Sequence, residues 1–203
     1  MRSKQLSTVC PEGAVTCAAL VLAAGRGRRF GSDKRLARLG DGQTVLATTV
    51  RRAQAHFDEV WVVIAGHDDP QALALPEGVR VVRAQHADQG MGASLAAGVR
   101  AMRASQTCVL AVLLGDMPWL AADTLLRLRE TATAERIVLP CHDGRRGHPV
   151  LFGRQFWPEL ERVGGDQGGR PVLRAHAQAC LEVEVADPGI WLDIDTPDDL
   201  AGR

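Results

Sequence analysis

The sequence predicts an α/β domain built on a mostly parallel sheet, and three observations carry that prediction. Strand-like apolar runs alternate with helical patterns over the first half of the chain, the order that strand–helix–strand units produce. Two of the runs, 60–65 and 109–114, are apolar throughout rather than alternating, as strands covered on both faces must be. A glycine-rich, basic segment directly follows the first run, and open α/β sheets bind ligands at that carboxyl-end rim.

Taken in order, residues 1–16 are polar and carry no apolar core, so they read as a short flexible extension rather than a secretory signal. Residues 17–203 then form a single domain. A buried strand is expected at 17–24. A helix follows at 44–57, where Val45, Ala47, Val50, Ala53 and Phe57 recur at helical spacing. Next come a strand at 60–65, a short helix near 69–73, a strand at 79–83, a helix at 90–103 and a strand at 108–114. Beyond Ala121 the pattern changes. A helix at 123–132 precedes short strands at 136–140 and 148–152, joined by a polar loop at 141–147. Helices near 154–163 and 170–179 and short strands at 181–185 and 190–193 complete a small mixed β extension. Thr196-Pro197 is a helix start, with Thr196 as N-cap and Pro197 in the first turn.

Composition narrows the class. Lys+Arg and Asp+Glu balance at 24 each, so the chain lacks the basic excess expected of a general nucleic-acid or membrane-surface binder. No apolar run reaches the ~18 residues that a bilayer span needs. The five cysteines include no C-x-x-C pair, which argues against a zinc or iron–sulfur site. Cys17 and Cys108 open apolar runs and read as buried thiols, and the odd, scattered set suggests a reduced, cytoplasmic protein.

The strongest motif is L-x-x-G-x-G-x-R-x-G-x-x-K, matched at Leu22, Gly25, Gly27, Arg29, Gly31 and Lys34. Glycines let backbone N–H groups approach phosphates, and Arg29 and Lys34 supply positive charge. A P-loop is excluded because Ser32 and Asp33 separate Gly31 from Lys34. A dinucleotide fingerprint is disfavoured because the third glycine comes one residue late. The segment therefore reads as a nucleoside triphosphate site, with Leu22, Ala23, Ala24, Gly25, Gly27 and Gly31 as its backbone.

Other segments carry candidate chemistry. Gly115-Asp116-Met117-Pro118 follows an apolar strand, so Asp116 sits at the same rim, where it could hold Mg²⁺ or cap the next helix. If 190–195 is a strand, Asp193 and Asp195 share a face and could complete the metal site. Asp195 could instead support the Thr196 cap. Gly90 and Ser94 mark a helix start, suited to a base or phosphate or to close packing on the sheet. His148 enters a strand and could bind a second substrate or be structural. Asp166 and Arg170 lie in a Gly-rich loop at 164–170, facing an acceptor or solvent.

Together these blocks resemble the molybdenum-cofactor nucleotidyltransferases (MobA-like NTP transferases), and most closely the molybdopterin cytidylyltransferase branch. The likeness runs from about Ala18 to Leu200. Leu22-Ala23-Ala24-Gly25 stands where the guanylyltransferases have Leu-Ala-Gly-Gly, and those also lack the Gly-Asp-Met-Pro form. The resemblance implies a Rossmann-like three-layer fold of the nucleotide-diphospho-sugar-transferase type. It implies a Mg²⁺-dependent enzyme that joins the nucleotide monophosphate of CTP to the terminal phosphate of a molybdopterin-type acceptor and releases pyrophosphate. A molybdoenzyme or its chaperone is the protein partner it suggests. Arg29, Lys34 and Asp116 would be catalytic, Asp116 and Asp193 metal ligands, and Gly90, Ser94, His148 and Asp195 binding residues. Phe30, the segment 87–89 and the continuation Arg35-Leu36-Ala37-Arg38-Leu39 depart from the usual pattern. A guanylyl- or other small-phosphate nucleotidyltransferase and a non-catalytic nucleotide-binding protein are the alternatives.

Overall fold

The computed structural model describes residues 15–25, 27 and 30–201. Its elements in chain order are β1 (Cys17–Leu22), α1 (Val45–His56), β2 (Glu59–Ala65), β3 (Arg80–Ala84), α2 (Met91–Ala101), β4 (Val109–Leu114) and α3 (Ala122–Thr131). There follow β5 (Ile137–His142), β6 (Arg145–Arg146), β7 (Val150–Gly153), α4 (Trp157–Leu160), α5 (Arg170–Ala175), β8 (Cys180–Glu184) and α6 (Asp198–Ala201). Thr44 caps α1 as an N-cap threonine should, its side chain accepting from Ala47 N.

The strands form one sheet in the order β3-β2-β1-β4-β7-β5-β6, with β8 on β5. The first four are parallel. The reversal comes at β7, which runs antiparallel to both β4 and β5; β8 is again parallel to β5. This is the α/β fold expected, with the mixed extension at one side.

Alternation along β1 divides the core into two layers. Cys17, Ala19 and Val21 pack with α1 and α3 residues such as Leu46, Val50, Leu125 and Leu128. Ala18, Leu20 and Leu22 pack on the other face with Leu95 and Val99 of α2, Trp157 and Leu160 of α4 and Val172 of α5. Two fully covered faces are why β1 and β4 are apolar at nearly every position.

Several local expectations are corrected. Residues 69–73 form turns rather than a helix, and Ala74, at φ 47°, breaks any helical continuation. Residues 190–193 are not a strand: a 3₁₀ turn at Pro188–Trp191 precedes irregular chain. Only Trp157–Leu160 of 154–163 is α-helical, after a 3₁₀ turn at Arg154–Phe156. The last helix begins at Asp198, and the capping runs the other way: Asp199 Oδ2 accepts from Asp195 N, Thr196 N and Thr196 Oγ1. Cys17 is a buried free thiol, as expected, with its pKa pushed up to about 11, mainly by burial. Cys108 is not a thiol; it is disulfide-bonded.

Candidate active site

The candidate site lies where β1 and β4, neighbours in the sheet, both end. Lys34 leaves the glycine loop in a 3₁₀ turn, Lys34–Leu36, and is buried, at 8% exposure. Its Nζ lies 2.6 Å from Asp116 Oδ2 and 3.0 Å from Asp195 Oδ1. Burial alone would lower the lysine pKa, but the attraction of Asp116 and Asp195 outweighs it and holds the pKa raised, so Lys34 is charged. The spacing from Gly27 to Lys34 now has a cause. A Cβ on Gly27, at φ 62°, would fall 2.6 Å from Lys34 Cδ. The lysine stem occupies the space a side chain would need.

Asp116, Asp193 and Asp195 each present an oxygen within 4.8 Å of the others. The strand expected to align the last two is absent. Instead the irregular segment is pinned from its middle, with Ile194 buried and its N–H donating 3.0 Å to the Asp116 carbonyl. Ile194 faces the core and the two flanking aspartates turn outward, which reproduces a same-face pair without a sheet. Asp193 is pushed above the usual carboxylate value by desolvation, and then by repulsion from Asp116 and Asp195. Asp116 Oδ1 is buried with no hydrogen-bond partner. Crowded carboxylates and an orphaned oxygen are the donor set that a hard divalent cation takes.

Beside the acids opens a cleft of about 550 Å³, lined by Leu22, Met91, Leu114, Met117, His148 and Asp193, among others. Arg145, Arg170 and Arg174 also line it. The Arg145 guanidinium lies 4.8 Å from the Trp191 ring centroid. His148 is fixed through its backbone, its N–H donating 2.7 Å to the Ile190 carbonyl. Burial lowers the His148 pKa despite a backbone hydrogen bond at Val112, so the ring is neutral near pH 7, and its Nδ1 is buried without a partner.

The site thus brings together Lys34, Asp116, Asp193 and Asp195, with Leu22 and His148 on the adjoining cleft. Ala23 is buried, its N–H on Val63 O; Ala24 is half-buried. Gly25 and Gly31 have open space where a side chain would stand. Arg29 lies outside the described residues. Gly90 is closely packed: at φ 104°, its Cβ would meet Gly165 C at 2.5 Å and Asp166 Oδ1 at 2.4 Å. The start of α2 and the 164–170 loop are therefore pressed together, and Ser94 is buried within α2. Sequence reasoning missed Arg145, Arg174 and Trp191. The signal for the first was the adjacent pair Arg145-Arg146 just before His148.

Comparison with known proteins places the chain in a family. The chain is 28% identical over 194 residues to the molybdenum cofactor cytidylyltransferase of Escherichia coli (strain K12), covering 92% of this chain and 94% of that one. It is 29% identical over 188 residues to the purine catabolism protein PucB of Bacillus subtilis (strain 168), covering 88% and 91%. Among solved structures, Rv0371c of Mycobacterium tuberculosis H37Rv superposes with a TM-score of 0.80 at 31% identity, over 92% of this chain and 96% of that one. Its complex with manganese gives 0.77 at 28% identity, over 93% and 100%. The profile of the MobA-like NTP transferase domain matches residues 19–180, and with the Lys34–Asp116 rim and the β3-β2-β1-β4 sheet this chain belongs to that family of nucleotidyltransferases.

Proposed function

We propose that the protein transfers the nucleotide monophosphate of CTP to the terminal phosphate of a molybdopterin-type acceptor, with Mg²⁺ as its metal. One observation carries the reading: Lys34, Asp116, Asp193 and Asp195 converge at the mouth of a cleft large enough for a second substrate. The similarity to a cytidylyltransferase supports the base and the acceptor.

In this reading the glycine loop, Arg29 and Lys34 hold the triphosphate. The acceptor phosphate oxygen attacks the α-phosphorus, the bond to the β-phosphate oxygen breaks, and pyrophosphate leaves. No covalent intermediate on the protein is needed, so the protein's task is positioning and charge compensation. Lys34 stays protonated throughout, because its raised pKa keeps the charge where phosphate oxygens gather. Asp116 and Asp193 would hold the divalent ion, with Asp195 completing the set and orienting Lys34. Such an ion neutralises charge on the triphosphate and on the leaving pyrophosphate. Neutral His148 and the Gly164–Arg170 loop face the acceptor, and Arg145, Arg170 and Arg174 offer it cationic partners.

The test is a nucleotide panel with pyrophosphate detection, run with and without molybdopterin. Pyrophosphate should appear only with acceptor present, and fastest with CTP, because a site built for one base leaves polar groups unpaired with another. Faster turnover with GTP would overturn the base assignment and leave the family standing. No turnover with any nucleotide would overturn the acceptor.

A further inference from the structure

Directly after Lys34 stands Arg35, which takes no part in the site described above. Arg35 is 3% exposed and Asp68, from the segment after β2, is 5% exposed. A guanidinium has five N–H donors, and here five hydrogen bonds leave it. Nε donates to Asp33 Oδ1 at 2.8 Å, and one terminal nitrogen to Asp33 Oδ2 at 2.7 Å and Asp68 Oδ1 at 3.0 Å. The other donates to Asp68 Oδ2 at 2.6 Å and to the Ala23 carbonyl at 2.7 Å. Asp68 in turn accepts from Ala65 N at 2.9 Å, at the very end of β2. Asp33 also accepts from the backbone N–H of Arg35 at 3.1 Å.

These partners are not scattered. Ala23 is where the chain enters the glycine loop and Asp33 is where it leaves, immediately before Lys34. Asp68 belongs to a third piece of chain, anchored to the sheet. We propose that Arg35 is a positioning residue for the nucleotide loop: it joins the loop's entrance and exit on the Asp68 anchor and so aims Lys34 at the acids before any ligand arrives. The proposal rests on reading the loop as the triphosphate site. Tying the two ends in advance spares part of the ordering cost on binding, so the gain appears in nucleotide affinity.

Truncating a buried charge leaves its partner unpaired and destabilises the fold whatever its role. The test therefore uses a pair of variants. Arg35→Met alone takes the guanidinium from buried Asp68; Arg35→Met with Asp68→Asn also removes that carboxylate's charge and keeps an acceptor for Ala65 N. The double variant should regain most of the lost unfolding midpoint and still bind CTP roughly tenfold or more weakly by calorimetry, the order of effect expected when ordering shifts to the binding step. Its KM for the acceptor should stay near the wild-type value. A double variant that regains both midpoint and CTP affinity would show Arg35 to be structural only and overturn the proposal. Arg35→Lys, which keeps the charge but whose three donors on a single nitrogen cannot replace the five hydrogen bonds of the planar fork, is the second variant and should show the same loss of CTP affinity. Backbone amide exchange over the glycine loop and Lys34, measured without ligand, separates this proposal from the functional reading. Exchange should quicken in the double variant and in Arg35→Lys even if CTP proves not to be the substrate. Unchanged exchange in both overturns the proposal by itself.

Discussion

Lys34 and Arg35 are consecutive, both cationic, both buried, and each lies between two aspartates. What differs is completeness. Around Arg35 every guanidinium donor is used. Around Lys34 the account stays open: Asp116 keeps a buried oxygen with no partner, and a third carboxylate, Asp193, sits close enough to be pushed toward its protonated form. Arginine's rigid fork suits a closed network, and lysine's compact, mobile charge suits a cluster that must also meet phosphate or metal. The contrast separates a closed network, which fixes three pieces of chain, from an open one, which leaves acceptors free to meet a further partner.

The largest effect expected from this contrast is on folding. Arg35→Met should cost about 3–5 kcal/mol of stability, the scale for removing one partner of a buried charge network. Lys34→Met should cost clearly less, because Asp195 reaches solvent, its side chain being 39% exposed. Urea unfolding of both variants decides it, and equal losses would erase the distinction. Next in size is chemistry. Asp116→Asn should keep the fold and lose about 3 kcal/mol of transition-state stabilisation, roughly a hundredfold in rate, while demanding more metal for the remaining turnover. Normal turnover of that variant at low Mg²⁺ would put the metal elsewhere. Smaller still, Lys34→Ala should weaken triphosphate binding about tenfold by calorimetry, the scale of one lost charge-assisted contact. Unchanged affinity in a folded variant would remove Lys34 from the site.

The smallest expected effect turns on sign. Asp33 is held below the ordinary carboxylate value: burial would raise it, but the bonds and charge of Arg35 prevail. It therefore contributes stability above its unfolded pKa and loses it as pH falls through the depressed folded one. Asp193 runs the other way. Its folded pKa is raised, so it costs stability above that value; the cost shrinks as pH falls from the raised folded value toward the unfolded value near 3.8 and is gone below it. Asp193→Asn should therefore raise the metal-free melting temperature at pH 7 slightly, and Asp33→Asn should lower it. A fall with Asp193→Asn, measured in chelator, would contradict the crowding of the three acids.

Much of this was legible in the sequence, for identifiable reasons. β2 and β4 were visible because strands covered on both faces leave little room for polar residues, and α1 because its apolar residues recur at helical spacing. Asp116 was legible because it follows an apolar strand. Asp193 and Asp195 were found for a reason that does not hold: their outward alternation comes from one buried isoleucine and one hydrogen bond to Asp116, not from a ladder. Arg35 was illegible because its meaning depends on Asp68, and Asp68 follows β2 much as Asp116 follows β4. The rim rule applied to β2 would have marked it. Arg145 and Arg174 of the cleft were hidden because β6, β7 and α5 meet there only after the antiparallel reversal.

The hydrogen bond from Lys34 to Asp195 joins residues 161 positions apart. Proteins are made from the amino end. Lys34 is thus synthesised long before one of its two partners, and the tie between Asp116 and Ile194 must wait as well. A growing chain that has completed the eight strands of the described residues still lacks the segment that closes the acid cluster. A chain cut after β8 would keep every strand of the described sheet and lack two of its three clustered acids.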